Sequence, residues 1–103
     1  MRIKDIDFGG MSEKALWNFW KNYGRPSREQ SEKLVGDRRP GFTGIAATAG
    51  GFASNYATGK GCVRTGDKSA AEVYFNIAES IRRGMPADVR PKKPSYSTRT
   101  QKK

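Results

Sequence analysis

Six cations, Arg90, Lys92, Lys93, Arg99, Lys102 and Lys103, stand in the fifteen residues from Val89 to Lys103, and no acid stands among them. Guanidinium and ammonium groups at this density neutralise phosphates, a chemistry that is electrostatic and nearly indifferent to base sequence. Arg38 and Arg39 form a second, smaller basic patch in the segment Gly36-Asp37-Arg38-Arg39-Pro40-Gly41. The chain has 103 residues and a net charge of +10, so the C-terminal segment alone holds six of the ten excess charges. A polyanion, DNA or RNA, is the partner that such a balance selects.

Other chemistries lack their residues. The sequence has no histidine and one cysteine, which removes the common zinc sites and the Ser-His and Cys-His nucleophile pairs. Asp5 and Asp7 read as carboxylates of a solvated arm rather than a cation site, and Ala57-Thr58-Gly59-Lys60-Gly61 fails as a phosphate loop. Ser54 stands where that loop needs its first glycine, and Gly61 stands where it needs Ser or Thr. Cys62 reads as a small packed thiol. The expectation is a protein that is not an enzyme and holds no metal or cofactor.

The segments that must carry these residues are helical. Ser12 caps a helix from about Glu13 to Tyr23, closed by Gly24, in which Leu16, Phe19, Trp20 and Tyr23 fall at i, i+3, i+4 and i+7. That spacing predicts a buried stripe containing Trp20 and leaves Trp17 off it, as a candidate for partner or base contact. Ser27 and Gln30 have the spacing of a capping box that opens a short surface helix to Leu34 or Val35, with Gly36 closing it. Thr43 caps the longest helix, roughly Gly44 to Arg64, with Gly50-Gly51 as the place for a kink. On this helix Ile45, Phe52, Tyr56 and Val63 project within about 20° of one line. Beside them Ala49, Ala53, Ala57 and Gly61 make a small-residue ridge able to dock a partner helix. After the turn Thr65-Gly66-Asp67, a helix from about Ser69 to Arg83 is expected to bury Ala70, Tyr74, Ile77 and Ile81.

The fold class expected is all-α: an extended arm over residues 1–10, a helical domain over 11–88 built on an antiparallel hairpin, and a disordered basic tail over 89–103. The tail expectation rests on composition, since two prolines, a polar run and a single apolar residue bury too little surface to offset the entropy of ordering. The N-terminus has neither the apolar block of a signal peptide nor a stretch long enough to span a bilayer, and the lone cysteine favours a reducing compartment. No membrane partner and a cytoplasmic location are the expectation, the host cytoplasm if the protein is viral.

Gly59, Gly66-Asp67, Ala71, Phe75 and Ala78 together resemble the tetratricopeptide unit over about 34 residues, Phe52 to Met85. Asn55 stands where that family prefers tryptophan, and Pro86 lies a few residues late for its terminal proline. What the resemblance implies is a helical hairpin, and a single unit of it makes no solenoid. The Trp-containing first helix, Gly24-Arg25-Pro26-Ser27 and the hairpin are also similar to short uncharacterised bacteriophage proteins. Two functions follow as expectations. One is a nucleic-acid-associated accessory protein acting through its basic tail. The other is a small structural or interaction component, viral or of another assembly, that docks a partner through Ala49, Ala53, Ala57 and Trp17.

Overall fold

Helix signals in the sequence become helix ends in the computed structural model, which describes residues 1–99. Among these residues there are four α-helices and no strand: α1 (Glu13–Tyr23), α2 (Arg28–Val35), α3 (Phe42–Arg64) and α4 (Lys68–Gly84). The Ser12 side chain accepts a hydrogen bond from the Ala15 N–H at 3.1 Å and opens α1. At α2, Ser27 Oγ accepts from the Gln30 N–H while Gln30 Oε1 accepts from the Ser27 N–H, so two otherwise orphaned donors are satisfied reciprocally. Gly36, with φ near 98°, closes α2 in the left-handed region, where a side chain would be strained. Asp67 caps α4 through the Ala70 N–H.

α3 runs unbroken for 23 residues, about 34 Å at 1.5 Å per residue. Its N-cap is Gly41 rather than Thr43, and Gly50-Gly51 introduces no break. Each of the other helices packs against it. Glycine sets how closely they come. A Cβ at Gly50 would lie 3.0–3.1 Å from backbone atoms of Gly24 and Tyr23, so the end of α1 meets α3 backbone to backbone. A Cβ at Gly59 would lie 2.4–2.5 Å from the Phe75 ring, which therefore occupies the space that a side chain would fill.

That close approach corrects the face expected for α4. Ala71, Phe75 and Ala78 are the buried residues, Ala70, Tyr74 and Ile81 are half-buried, and Ile77 is 41% exposed. The helix is turned about 100° from the aliphatic stripe, one residue's rotation, because Phe75 seats against Gly59 and the two alanines permit the approach. Trp20 is also displaced from its expected stripe. Leu16 and Phe19 are buried and Tyr23 half-buried, whereas Trp20 is 45% exposed.

Both termini belong to the core. Residues 1–10 are not an extended arm: two 3-10 turns, Ile3–Asp5 and Phe8–Gly10, bury Ile3, Ile6 and Phe8. The Phe8 ring meets Phe19 and Phe52 edge-on at 5.2 and 5.1 Å, a favourable aromatic geometry. The expected tail is likewise seated over residues 89–99. Val89, Pro91 and Pro94 are buried, and Tyr96 packs its ring 5.5 Å from Phe75 and 5.8 Å from Tyr56. The Tyr56 hydroxyl donates to Ser95 O at 2.9 Å, and Arg82 donates to Pro91 O at 3.2 Å. Proline reduces the entropy of ordering by fixing φ beforehand, so the same residues that argued for disorder lower its cost. Thr100 to Lys103 lie outside the described residues.

Gly59→Ala is expected to lower stability by about 1–3 kcal/mol, because the buried Phe75 ring must move to admit the methyl group. Gly51→Ala, facing open space inside the same helix, is expected to raise it by about 0.5–1 kcal/mol. Chemical denaturation of both variants beside the parent reads the two signs.

Candidate nucleic-acid interface

The cations singled out by sequence have three different fates. Arg39 lies between two carboxylates: its Nε and Nη2 donate to Asp37 at 2.8 and 2.9 Å, and its Nη1 and Nη2 donate to Asp88 at 2.9 and 2.6 Å. These hydrogen bonds hold both carboxyls below their usual range. Arg38 donates to Glu32 at 2.8 Å, and its guanidinium stands 6.0 Å from the Phe42 ring centroid. Arg2 also lies beside this cluster, and its charge helps to lower the Asp37 carboxyl. Arg39 thus ties the α2–α3 loop to Asp88 beyond α4, and Arg38 ties that loop back to α2.

Arg90 is also occupied. Its Nη2 donates to Arg83 O at 3.0 Å and to Met85 O at 2.8 Å, covering carbonyls that the end of α4 leaves without helical partners. Lys92, Lys93 and Arg99 remain on the surface. Lys92 lies 3.8 Å from Asp7 with both side chains largely exposed, a separation at which little interaction survives solvent screening. The Lys93 ammonium is 6.0 Å from the Tyr96 ring centroid. Lys102 and Lys103 lie outside the described residues.

The residues expected to take a protein partner divide in the same way. Ala49, Ala53 and Ala57 are fully buried in the chain's own core, so the small-residue ridge faces the molecule's own helices and offers nothing to a partner. Trp17 is 40% exposed and meets Trp20 edge-to-face, with centroids 5.9 Å apart and planes at 90°. Lys14, Lys21 and Arg25 are exposed on α1 and just beyond it, and none forms an ion pair among the described residues. Sequence reasoning passed over these three, although 100° steps place Lys14, Trp17 and Lys21 together on the side of α1 away from Leu16 and Phe19.

A cavity of about 330 Å³ opens where α3, α4 and the two termini meet. Tyr56, Phe75, Lys60, Arg64 and Arg99 are among its lining residues. Lys60 donates to Met11 O at 3.0 Å, and Arg64 pairs with Glu13 at 2.9 Å. Cys62, beside this region in sequence, is half-buried against the core. Among the described residues no group of His, Cys, Asp or Glu is placed to hold a metal ion, and no helix is long and apolar enough to cross a membrane.

Comparison with protein-family models, with curated proteins and with solved structures gave no match for this chain.

What positions Lys92, Lys93 and Arg99 is the bond between the C-terminal segment and α4. Glu79 accepts from Arg82, Arg83 and the Tyr96 hydroxyl, the last at 2.7 Å, and only 15% of its side chain is exposed. Hydrogen bonding to Arg82, reinforced by Tyr96 and Arg83 and opposed by desolvation, pulls the Glu79 carboxyl down to about 2 from an ordinary 4.5. A depressed carboxyl stabilises the fold above its unfolded value and ceases to do so as it protonates. The contribution should therefore be complete above pH 4.5 and fade between there and about 2. Tyr96→Phe is expected to cost about 1 kcal/mol at neutral pH, and Glu79→Gln to cost more and to flatten the acid limb of a melting-temperature profile.

Proposed function

We propose that this protein is a non-enzymatic, nucleic-acid-associated accessory protein whose binding is electrostatic and largely independent of sequence. The observation that supports the reading is the way the charges pair. Five of the ten acids, Glu13, Glu32, Asp37, Glu79 and Asp88, are closely matched to cations of the same chain. The surplus charge is thus left on side chains such as Lys14, Lys21, Arg25, Lys93 and Arg99, which form no ion pair among the described residues. Cations without internal partners on a chain of net charge +10 are what a phosphate backbone can recruit. Arg90, Arg38 and Arg39 are engaged within the fold and drop out as phosphate ligands, and Lys92, Lys93, Arg99, Lys102 and Lys103 remain as the C-terminal contribution.

A second reading, a small structural or interaction component of a viral or other assembly, has one observation in its favour. Val73 and Ile77, one turn apart on α4, are 56% and 41% exposed. In this reading the antiparallel hairpin of α3 and α4 docks a partner through that outer pair, since the alanine ridge is enclosed.

A salt titration of binding to several unrelated DNA and RNA sequences tests the first reading. Lys92→Gln, Lys93→Gln and Arg99→Gln together should lower the slope of log affinity against log salt by about 0.7–0.9 for each phosphate no longer neutralised. Arg38→Gln should leave the slope unchanged. Affinity that hardly varies with salt would transfer the lead to the docking reading.

A further inference from the structure

Two tryptophans side by side on the surface of a small protein ask for an explanation, because an indole is among the side chains that gain most from burial. The helix itself does not supply one. Trp20 stands about 40–60° round α1 from Leu16 and Tyr23, at the border of the buried stripe, and Trp17 stands farther out. The pair nevertheless has neighbours within the chain. A Cβ at Gly24 would lie 3.3 Å from Trp20 Nε1, so the indole lies over the bare backbone at the end of α1. That same backbone is also close to Gly50 of α3. Trp20 thus lies against Gly24 at the α1–α3 crossing, and Trp17 meets Trp20 edge-to-face.

The surroundings are cationic. Lys14 and Lys21 lie three residues before and four after Trp17, the spacings that place side chains together on a helix surface. Trp20, Lys21, Gly24 and Arg25 line one shallow hollow. Glu13, the only acid on α1, is engaged by Arg64 at 2.9 Å. Aromatic faces ringed by unpaired cations complement a strand that presents flat bases alternating with phosphates. In a duplex the base faces are stacked on one another and inaccessible, whereas in a single strand they are free. A membrane surface fits less well, since the remaining large apolar residues of α1, Leu16 and Phe19, are turned into the core and only the two indoles could insert.

We propose that Trp17 and Trp20 form a base-stacking platform, with Lys14, Lys21 and Arg25 holding the adjoining phosphates, and that it directs binding to single-stranded nucleic acid. This rests on the nucleic-acid reading above and adds the class of strand.

The test uses the full chain and a fluorescein-labelled oligothymidylate of about 15 nucleotides, alone and annealed to its complement, within the span of known single-strand sites. The oligothymidylate should quench the indole fluorescence. Trp17→Ala and Trp20→Ala should each weaken single-strand binding by about tenfold while changing duplex binding by less than about twofold. Trp17→Phe and Trp20→Phe, which keep an aromatic face and the packing, should retain most of the affinity, and circular dichroism checks that each variant is folded. Equal loss on both strands, or no loss and no quenching while salt-dependent binding persists, overturns the platform and leaves the nucleic-acid reading standing. No salt-dependent binding to either strand by the parent protein overturns both. Tryptophan-dependent binding to phosphatidylserine vesicles without single-strand binding assigns the pair to a membrane surface and overturns the proposal.

Discussion

The distance at which other segments can approach α3 is the constraint on which the molecule depends. With only 35% of its residues hydrophobic, the chain has little apolar material for a core, so its buried surface must come from close approach rather than from bulk. Gly50 admits the backbone of α1, Gly59 admits the ring of Phe75, and Ala49, Ala53 and Ala57 keep the intervening surface low. Large rings then fill what remains. Phe8, Phe19 and Phe52 meet edge-on, and Tyr56, Phe75 and Tyr96 form a second aromatic cluster farther along α3.

Each terminus supplies what the helices lack. The N-terminal turns contribute Ile3, Ile6 and Phe8 to the first cluster, and the C-terminal segment contributes Tyr96 to the second. The C-terminal segment is attached by polar groups as much as by apolar ones. Glu79 collects two arginines and a tyrosine hydroxyl, Tyr56 donates to Ser95 O, and Arg39 reaches Asp88 from the α2–α3 loop. The Glu79 group is mostly shielded from water, so its charge-assisted hydrogen bonds are worth more than those of exposed pairs such as Arg38 with Glu32.

These attachments redistribute the basic charge. Arginines that look alike in sequence become structural when a carboxylate or a helix end lies within reach, as for Arg39, Arg82 and Arg90. Lys14, Lys21, Lys92 and Lys93 are left outside, whereas Lys60 donates to Met11 O. A surface composed in this way keeps its long-range positive field while its arginine forks are used for cohesion. The exposed tryptophans then lie beside cations rather than on a neutral apolar patch, and that is the observation on which the proposed base-stacking platform rests.

The sequence by itself determined where most of the helices begin and end, although α3 starts after Gly41 rather than Thr43. Caps and turns act over three or four residues, so Ser12, the Ser27–Gln30 box, Gly36 and Asp67 could be read without knowing any distant neighbour. The all-helical class and the single long α3 follow from the same local signals. The tertiary structure alone decided which face of each helix is inside, because that depends on which ring fits which hollow. Phe75 against Gly59 turned α4 by one residue, and the meeting of Gly24 with Gly50 left Trp20 at the surface. It also decided the fate of the termini and of the cations. Ile3, Phe8, Pro94 and Tyr96 carry no local signal of burial, and Arg39 finds Asp88 only because folding brings together residues 49 positions apart.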